Sequence, residues 1–363
     1  MDQDRNTLIW LNSLGIHSDV INQLIAYLGD ITEIHNIEPK ELHNLGLLTN
    51  NALNIVRKSD YKTSIEIFLE NLQKMSVDVI TFLDDDFPKE LLCIPDRPVV
   101  LYKKGLIFPN NQLAIGIVGS RKATHYGKWA AEKFTRELVQ MGVTIVSGMA
   151  VGIDTVAHRT ALEHSGRTIG VLGNGLDTVY PKSNKNLYDN VIDNGCLISE
   201  FPPGTQPYNF HFPMRNRIIS GLSLGIIVIE AQQRSGSLIT AHHALAQGKD
   251  VFALPGNINS VYSQGTNLLI KDGAKPLLDM DDILEEVSEL KTLQNSINVN
   301  KLDNMDLSET ENKILEYLKE GPIHSDLIVL NSGLDIQTVV STLTILELKG
   351  IIKEMSSRIF TIV

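Results

Sequence analysis

The stretch FPMRNRIISGLSLGIIVIEA, residues Phe212 to Ala231, contains two arginines and then the largely apolar run Gly225–Ala231. An apolar run of this length, bounded by turn-forming residues, is typical of a strand buried on both faces of a parallel sheet. Six similar runs occur between residues 77 and 287, and helical segments separate them. The runs are AIGIV, VTIVS, TIGVLG, CLISE, DVFALP and AKPLLD. This alternation predicts an α/β fold with a doubly wound, mostly parallel sheet over residues 76–287.

Different patterns flank this central segment. Residues 1–75 have Leu, Ile and Val at helical spacing, which predicts a small helical domain. Its glycine turns before apolar helices are typical of SAM or helix-hairpin-helix modules, which present amides to a phosphate backbone. A packing or protein-contact module is favoured over that interpretation, because few Lys or Arg accompany the turns. Residues 288–304 are polar without periodicity and predict a linker. Residues 305–363 contain three helical patterns and then a short hairpin, which predicts a winged-helix domain.

The overall charge limits the choice of partner. The 363 residues carry a formal net charge of −11, so the field of the whole molecule repels nucleic acid. A polyanionic partner therefore needs a local cationic site, which screening over roughly 8 Å at physiological salt permits.

The sequence has no apolar run of 18 residues and no export signal, which predicts a cytoplasmic protein without a membrane role. Cys93 and Cys196 lack a CxxC pattern, so neither a disulfide framework nor a zinc site is predicted.

Glycine- and hydroxyl-rich loops follow the predicted strands. Ligands of doubly wound sheets bind beyond the carboxyl ends of the strands, so these loops are expected at one edge. Amides at helix N-termini, together with arginine side chains, are suited to binding phosphate. Residues of this kind are Gly119, Ser120 and Arg121 after AIGIV, Ser147, Gly148 and Gly152 after VTIVS, Ser235, Gly236, Ser237 and Thr240 after GIIVIEA, and Gly256, Gly265, Thr266 and Asn267 after DVFALP. Their convergence with Arg215 and Arg217 predicts a phosphate-bearing ligand.

Arg215 and Arg217 stand at the start of the helix that precedes GIIVIEA. A buried guanidinium costs several kcal/mol unless it has a partner, which is a carboxylate of the protein or an anion from outside. Glu200 and Glu230, at the ends of flanking strands, are the internal candidates. Residues two apart on a helix point roughly 200° apart. At most one of the two arginines is therefore predicted to face the ligand, while the other fixes the loop.

Several enzyme classes lack their signatures. The first turn, GSRKAT, is not the GxGxxG of dinucleotide-binding proteins, and no GxxxxGK[ST] element is present. His158, His242 and His243 lack the spacing of a second metal ligand, and no set of nucleophile, base and orienting group is recognisable. Asp154 is interpreted as complementing the dipole of its helix. We therefore expect no catalytic residues, no cofactor and no metal.

Eight motifs occur together across residues 84–274. They are GSR at Gly119, SGMAVGID from Ser147, LGNGLDTVYP from Leu172, ISE at Ile198, FPMRNRIISGLS from Phe212, SGSLITA from Ser235, LPG at Leu254 and QGTNLLI from Gln264. With these motifs the chain resembles the bacterial DNA-processing protein A family, also called Smf. The resemblance implies an extended Rossmann-like domain that binds single-stranded DNA and forms homodimers. It also implies that the protein protects incoming DNA and loads a RecA-type recombinase onto it during natural transformation.

The resemblance further implies roles for residues at matching positions. Phosphate binding falls on Gly119, Ser120 and Arg121 in the first loop and on Arg215, Asn216 and Arg217 in the FPMRNR stretch. Phe212 is implied to stack on a base, a contact worth roughly 1–3 kcal/mol. Tyr208 and Phe210 either add aromatic surface nearby or belong to the core.

Two features of this sequence depart from the family pattern, and one alternative function remains open. The segment from Asp306 to Val363 has nine acidic residues against five Lys or Arg, which predicts poor duplex binding and a protein-contact or regulatory role for the winged helix. The acidic total predicts weak, strongly salt-dependent DNA affinity unless dimers add sites. The alternative is a nucleotide-binding enzyme of the nucleoside-monophosphate phosphoribohydrolase type, whose PGGxGTxxE signature resembles the LPG and GTN elements. Leu269 stands where that signature requires glutamate, which favours binding over hydrolysis.

Overall fold

The structure, a computed structural model, describes residues 2–58, 60–106, 113–303, 307–319 and 321–362. Residue 304 of the predicted linker and residues 305, 306, 320 and 363 of the predicted winged helix lie outside these ranges. The chain divides into two compact units, Met1–Leu290 and Lys291–Val363. The N-terminal helices belong to the same unit as the sheet. The boundary predicted at residue 75 therefore marks a change of secondary structure, not a break in packing.

Short helices build the first part of the chain, as predicted. They are α1 (Asp2–Ser13), α2 (Ser18–Leu28), a 3-10 helix (Ile31–His35), α3 (Pro39–Asn44), α4 (Asn50–Lys58) and α5 (Tyr61–Lys74). Helix α1 buries Leu8 and Leu11, and α2 buries Ile21 and Leu24. Residues three positions apart lie on one face of a helix, so this spacing gives each helix an apolar side that packs into a shared core.

A nine-stranded sheet follows within the described residues. Its strands are β1 (Asp78–Thr81), β2 (Val100–Gly105), β3 (Ala114–Val118), β4 (Thr144–Ser147), β5 (Thr168–Leu172), β6 (Cys196–Ser199), β7 (Gly225–Val228), β8 (Asp250–Ala253) and β9 (Lys275–Pro276). The spatial order is β1-β2-β6-β5-β4-β3-β7-β8-β9. All neighbours from β6 to β9 pair in parallel, and β1 and β2 add an antiparallel edge. The predicted doubly wound, mostly parallel sheet is confirmed.

The order of connections creates a switch point in the sheet. The chain moves outward from β3 through β4 and β5 to β6, and it then returns to β7 on the other side of β3. The intervening helices are α6 (Lys89–Leu92), α7 (His125–Gln140), α8 (Ile153–Glu163), α9 (Lys185–Asn194) after a 3-10 turn (Lys182–Asn184), α10 (His211–Gly221), α11 (Gly236–Ala246), α12 (Gln264–Lys271) and α13 (Asp281–Glu286). Ligands of doubly wound sheets bind where the direction of winding reverses. That place is the carboxyl edge of β3 and β7.

The N-terminal helices are joined to the sheet through β2. Tyr102 of β2 is fully buried, and its hydroxyl donates a 2.7 Å hydrogen bond to Oδ1 of Asn12 in α1. The Asn12 side-chain amide in turn donates to the backbone oxygen of Glu200, directly after β6. Losing either partner would leave a buried polar group unsatisfied, which costs about 1–3 kcal/mol. Helix α1 is thus held beside the carboxyl ends of the strands.

The second unit has the predicted winged-helix pattern. Helices α15 (Glu309–Lys319), α16 (Ser325–Ser332) and α17 (Ile336–Leu348) surround a small apolar core, and β10 (Ile323–His324), β11 (Ile352–Ser356) and β12 (Ile359–Ile362) form a sheet. Ser308 and Glu311 form the predicted capping box. The amide of Glu311 donates to the Ser308 hydroxyl, and the amide of Ser308 donates to the Glu311 carboxylate. This reciprocal pair fixes the start of α15.

The segment predicted as an irregular linker is helical instead. It forms α14 (Ser288–Asp303), and a single residue, Val287, separates it from the end of α13. The sequence of α14 contains no glycine or proline to interrupt it, and Leu290 is fully buried and anchors its first turn. Sparse apolar periodicity was therefore a poor guide to structure here. Within the described ranges, neither this helix nor any other is long and apolar enough to cross a membrane.

Candidate nucleic-acid interface

A cleft of about 550 Å³ opens at the switch point of the sheet, beyond β3 and β7. Ten of the predicted site residues line it: Gly119, Ser120, Arg121, Phe212, Arg215, Asn216, Ser235, Gly236, Ser237 and Thr240. The predicted residues that do not line it are Ser147, Gly148, Gly152, Arg217, Gly256, Gly265, Thr266 and Asn267. The structure therefore brings together the segments after β3, at the start of α10 and at the start of α11, and it leaves the α12 segment apart.

The loop after β3 holds Arg121 at the mouth of the cleft. Gly119 lies close to α8, because an added Cβ would be 2.7 Å from the Ile153 side chain. The backbone oxygen of Ser120 accepts a 3.2 Å hydrogen bond from the amide of Ile153. Arg121 itself is exposed, and among the described residues it forms no ion pair. A backbone fixed against α8 thus presents a solvated guanidinium to the cleft.

A buried carboxylate joins the loops that follow β3 and β7. Glu230 is 3% exposed and accepts hydrogen bonds from the amide (2.9 Å) and the hydroxyl (2.5 Å) of Thr124. Thr124 is the N-cap of α7, so the carboxylate also lies at the positive end of that helix. Gly127 leaves room for it, since an added Cβ would come within 2.4 Å. Glu230 is thereby engaged locally and is not the ion-pair partner of Arg215 or Arg217.

The N-terminus of α11 forms another wall of the cleft. The Ser235 hydroxyl accepts a 3.3 Å hydrogen bond from the amide of Ser237 and caps the helix. Gly236 has open space where a side chain would be, so its backbone is accessible to a ligand. The Asn216 side chain donates to the Gly236 carbonyl at 3.2 Å and holds α10 against α11. The accessible backbone of Gly236 and the positive end of the helix dipole favour an anion at this wall.

Arg215 forms the floor of the cleft and is only 4% exposed. Its Nη1 donates to the backbone oxygens of Gly148, at 2.9 Å, and of Val171. Its Nε donates to Oδ1 of Asn216 at 3.3 Å. Burial lowers the pKa of Arg215 to about 10, so the guanidinium stays charged at neutral pH. Arg215 forms no ion pair with a carboxylate of the described residues, although Asp154 interacts with it electrostatically. Part of the charge of Arg215 is therefore left to attract an anion in the cleft.

Asp154 also lines the cleft, in the first turn of α8. Its carboxylate accepts hydrogen bonds from the amides of Gly148 (3.2 Å) and Ala150 (3.3 Å). The amide of Gly148 is therefore engaged within the protein, and its predicted phosphate contact gains no support from this arrangement. Gly148 instead makes room for Arg215, because an added Cβ would lie 2.6 Å from Nη2. Burial raises the pKa of Asp154 to about 6, although the charge of Arg215 opposes this rise.

Arg217 belongs to the protein interior, not to the cleft. Its Nη2 and Nη1 donate to the two carboxylate oxygens of Glu200 at 2.6 and 2.9 Å, and its Nε donates to the backbone oxygen of Asp96 at 2.9 Å. The two side chains are 9% and 3% exposed. Arg217 does not line the cleft, so its predicted phosphate contact gains no support from this arrangement. The two arginines diverge as helical geometry requires, and Arg217 is the one that fixes the loop.

The α12 segment is internal as well. The amide of Gly265 donates to the backbone oxygen of Ala231 at 2.8 Å, and Thr266 is 1% exposed. The Asn267 side chain exchanges two hydrogen bonds with the backbone of Gly256, at 2.9 and 3.2 Å. These contacts support the loop after β7 from behind. Gly265, Thr266 and Asn267 do not line the cleft, so their predicted phosphate contacts gain no support from this geometry.

Phe212 stands at the mouth of the cleft among aromatic and cationic neighbours. Its ring stacks on that of Tyr180, with centroids 5.4 Å apart and planes 27° apart. The guanidinium carbons of Arg121 and Arg215 lie 5.6 and 6.0 Å from the ring centre. The sequence interpretation missed Tyr180, and it missed Lys122, an exposed cation that lines the cleft directly after Arg121. Lys122 could have been predicted as a second cation of the site, because it directly follows Arg121 in the GSRK turn.

Comparison with known proteins assigns the chain to a family. The family model of DNA recombination-mediator protein A matches residues 78–288, which is more than half of the chain, and the model of the DprA winged helix domain matches residues 301–356. The chain belongs to the DprA/Smf family. The resemblance seen in the sequence motifs is thereby confirmed, and with it a role in DNA processing of the recombination-mediator type.

DprA and Smf relatives align with most of their own length. DNA processing protein DprA of Bacillus subtilis is 41% identical over 242 residues, which cover 64% of this chain and 82% of that protein. DprA of Streptococcus pneumoniae is 47% identical over 210 residues, covering 57% and 73% of the two chains. Protein Smf of Escherichia coli is 38% identical over 283 residues, covering 78% and 75%. The chain is thus similar to these proteins well beyond the cleft.

Two solved DprA structures share the fold. The X-ray structure of DprA from Streptococcus pneumoniae matches with a TM-score of 0.66 and 36% identity, covering 78% of this chain and 98% of that one. DprA from Helicobacter pylori matches with a TM-score of 0.52 and 30% identity, covering 61% and 96%. The latter structure describes a unique single-stranded DNA binding mode of the Helicobacter pylori protein.

Removing Arg217 from this DprA chain is expected to destabilise it strongly. The Arg217→Ala variant leaves the Glu200 carboxylate buried without its partner, which costs about 3–5 kcal/mol. Urea unfolding at 25 °C measures the loss. The matched control is Lys185→Ala, which breaks the exposed pair with Asp189 and is expected to cost under about 1 kcal/mol. A loss for Arg217→Ala no larger than that of the control would contradict the structural role of Arg217.

Proposed function

We propose that this DprA protein binds single-stranded DNA through its phosphate groups in the cleft between the β3 loop, α10 and α11. The arrangement of charge at the cleft is the observation that carries the proposal. Arg121 is exposed at the mouth, Arg215 is charged in the floor, and the N-terminus of α11 is open at the wall. Arginine forks and free helix amides are the groups that proteins use to bind phosphate.

The cleft has the opposite sign of charge to the whole molecule. Among its described lining residues, Arg121, Lys122 and Arg215 are cationic and Asp154 is the acidic one, which leaves a net charge of three minus one, or +2, when Asp154 is ionised. The chain as a whole carries −11. Fields are screened within roughly 8 Å at physiological salt, so a strand inside the cleft interacts mainly with these groups. Repulsion elsewhere on the surface favours binding at this one place.

The aromatic ring at the mouth favours an unpaired strand. Phe212 lies beside the exposed guanidinium of Arg121, so a nucleotide whose phosphate meets Arg121 has a ring nearby for its base. Stacking on an aromatic side chain requires a base that is free of its neighbours and is tolerant of sequence. The DNA binding mode described for the Helicobacter pylori relative is also single-stranded.

The biological role that we propose for this protein is based on the description of its family. We propose that the protein protects incoming strands and delivers them to a RecA-type recombinase during natural transformation, and that it acts in the cytoplasm as a homodimer. The description of the family as a recombination mediator supports delivery to a recombinase. A dimer would bring two clefts to one strand, and the second binding event would then occur at a high effective concentration. That gain would offset the overall acidity of the chain.

The winged helix is proposed to contact protein instead of duplex DNA. Helix α17, IQTVVSTLTILEL, contains no Lys or Arg that could contact a phosphate. It exposes Ile336, Val340 and Leu348 to solvent at 56%, 51% and 83%. An exposed apolar helix without cations suits a protein surface better than a phosphate backbone.

Nucleotide hydrolysis, the alternative function, finds no support at the cleft. Leu269 occupies the position of the glutamate in the hydrolase signature, and it is 5% exposed in the core of the sheet unit. Because none of the α12 residues lines the cleft, a carboxylate at that position would not reach a ligand held there.

Replacing Arg121 is expected to weaken binding of oligothymidine and to flatten its salt dependence. The Arg121→Ala variant removes one phosphate contact, which lowers the slope of log K against log salt by about 0.7 for single strands. The lost charged hydrogen bond, about 1.5 kcal/mol, corresponds to roughly tenfold in affinity at low salt. Fluorescence anisotropy over a salt series measures both quantities.

The control for that series is Arg136→Ala. Arg136 is an exposed arginine of α7 that does not line the cleft, so its removal changes the net charge equally but removes no proposed contact. Its slope is expected to match that of the parent protein, and an equal length of duplex is expected to compete poorly. Identical slopes for Arg121→Ala and the parent would refute the proposed site.

Binding is expected to tighten in mildly acidic solution. The pKa of Asp154 is raised to about 6 by burial, so its carboxylate loses its charge as the pH falls from 7.5 to 5.5. Asp154 lines the cleft, and at an effective dielectric constant of about 20 the loss of one negative charge near a bound phosphate favours binding by about 1–2 kcal/mol, or roughly five- to thirtyfold. The Asp154→Asn variant should already bind tightly at pH 7.5 and show little further change. If that variant keeps the pH dependence of the parent protein, Asp154 is not the titrating group.

A further inference from the structure

We infer that Tyr208 and Phe210 form a second stacking platform, which holds bases of the DNA strand where it leaves the cleft. The inference rests on the proposed binding of single-stranded DNA and extends it to a separate surface. Neither ring lines the cleft itself. The platform would lengthen the bound segment beyond the nucleotide that meets Arg121 and Phe212.

The two rings are presented to solvent in a common orientation. Tyr208 is 54% exposed and Phe210 is 59% exposed. Their planes are 3° apart and their centroids 5.6 Å apart, which is an offset parallel arrangement. The sequence left open whether these rings belong to the core, and the structure places them on the surface. Adjacent exposed aromatic residues forgo the stabilisation that burial gives, and such patches mark interaction sites.

A buried histidine supports both rings from behind. His211 is 4% exposed, its ring stacks on Phe201 at 4.1 Å, and its Nδ1 lies 3.1 Å from the backbone oxygen of Gly173. The rings of Phe210 and Tyr208 meet it at steep angles of 74° and 73°, with centroids 4.5 and 5.5 Å away. A platform fixed in this way loses little side-chain entropy when a base stacks on it.

The platform is continuous with the cleft. Asn209, which lies between Tyr208 and Phe210, lines the cleft, and Phe212 follows two residues after Phe210. Consecutive Cα atoms are about 3.8 Å apart, so the backbones of Phe210 and Phe212 are within roughly 8 Å of each other. Asn209 thus connects the cleft to the platform, and a strand that leaves the cleft past Asn209 reaches Phe210.

The surroundings of the platform favour a nucleic acid strand. A pocket of about 200 Å³ beside it is lined by Tyr208, Phe210 and the turn of residues 15–17 between α1 and α2. Glu200 is the carboxylate among the described residues of this pocket, and its charge is neutralised by Arg217. A phosphate passing this surface thus meets no uncompensated acid of the pocket. The N-terminal helices thereby border the proposed path of the strand.

The test uses the full-length protein and oligothymidine with single 2-aminopurine substitutions at successive positions. Stacking on an aromatic ring quenches 2-aminopurine fluorescence. In the parent protein we expect quenching at the nucleotide that meets Phe212 and again at a separate position. The Tyr208→Ala/Phe210→Ala variant should lose quenching at the second position alone. Its affinity for a strand of twenty nucleotides should be about tenfold lower than that of the parent, which is within the range of one stacked base. Its affinity for a strand of six nucleotides should stay within about twofold of the parent.

Two controls separate the possible outcomes. Tyr27→Ala removes a tyrosine of α2 that is similarly exposed, at 53%, and should leave both strands unaffected. The single variants Phe210→Leu and Phe210→Ala form the second control. Phe210→Leu retains an apolar side chain without the aromatic face, so it should lose as much 2-aminopurine quenching as Phe210→Ala. If Arg121→Ala weakens binding while the double variant leaves quenching and long-strand affinity unchanged, the platform is refuted and the cleft stands. If Arg121→Ala also leaves binding unchanged, the proposed binding of DNA in the cleft is refuted, and the platform is refuted with it. A double variant that changes self-association alone would assign the rings to a protein interface and overturn the inference.

Discussion

A buried guanidinium without a carboxylate partner determines how this site is built. Moving the charge of Arg215 out of water costs several kcal/mol unless its donors are satisfied. Backbone oxygens of Gly148 and Val171, at the ends of neighbouring parallel strands, accept two of its hydrogen bonds. These bonds satisfy the donors of Nη1 but do not cancel the charge. The N-terminal part of α10 is thereby fixed over the edge of the sheet, and with it the ring of Phe212 and the amide of Asn216.

The same helix performs two tasks on two sides. Arg215 faces the cleft, while Arg217, two positions later, pairs with Glu200 and bonds to the backbone of Asp96. Glu200 is also bonded through its backbone to Asn12 of the first helix. The ion pair therefore connects α10, the end of β6 and the N-terminal helices. The charged Arg215 in the floor of the cleft is thus held in position by the neutral ion pair of Arg217 and Glu200 on the other side of α10.

Much of this architecture could be predicted from the sequence, because the strands β3 to β8 lie in apolar runs separated by helical patterns. The edge strands β1 and β2 were missed, since a four-residue strand such as DVIT carries little periodic signal. The spacing of Arg215 and Arg217 predicted that they diverge, but it did not tell which one faces the cleft. That depends on where Glu200 and the strand-end carbonyls lie after folding. The glycine-bearing loop at Gly265 has the composition of a phosphate site, and only its packing against Ala231 shows that it is internal.

The most direct test of the account is to map where a bound strand touches the protein. Oligothymidine carrying 5-iodouracil can be cross-linked by light to the full-length protein, and the attached peptides can be identified by mass spectrometry. The account predicts cross-links in the peptides that contain Phe212 and Arg121, and an excess of unlabelled single strand should suppress them while duplex does not. Cross-links confined to residues 291–363, or to the α7 face around Arg136, would contradict binding at the switch-point cleft.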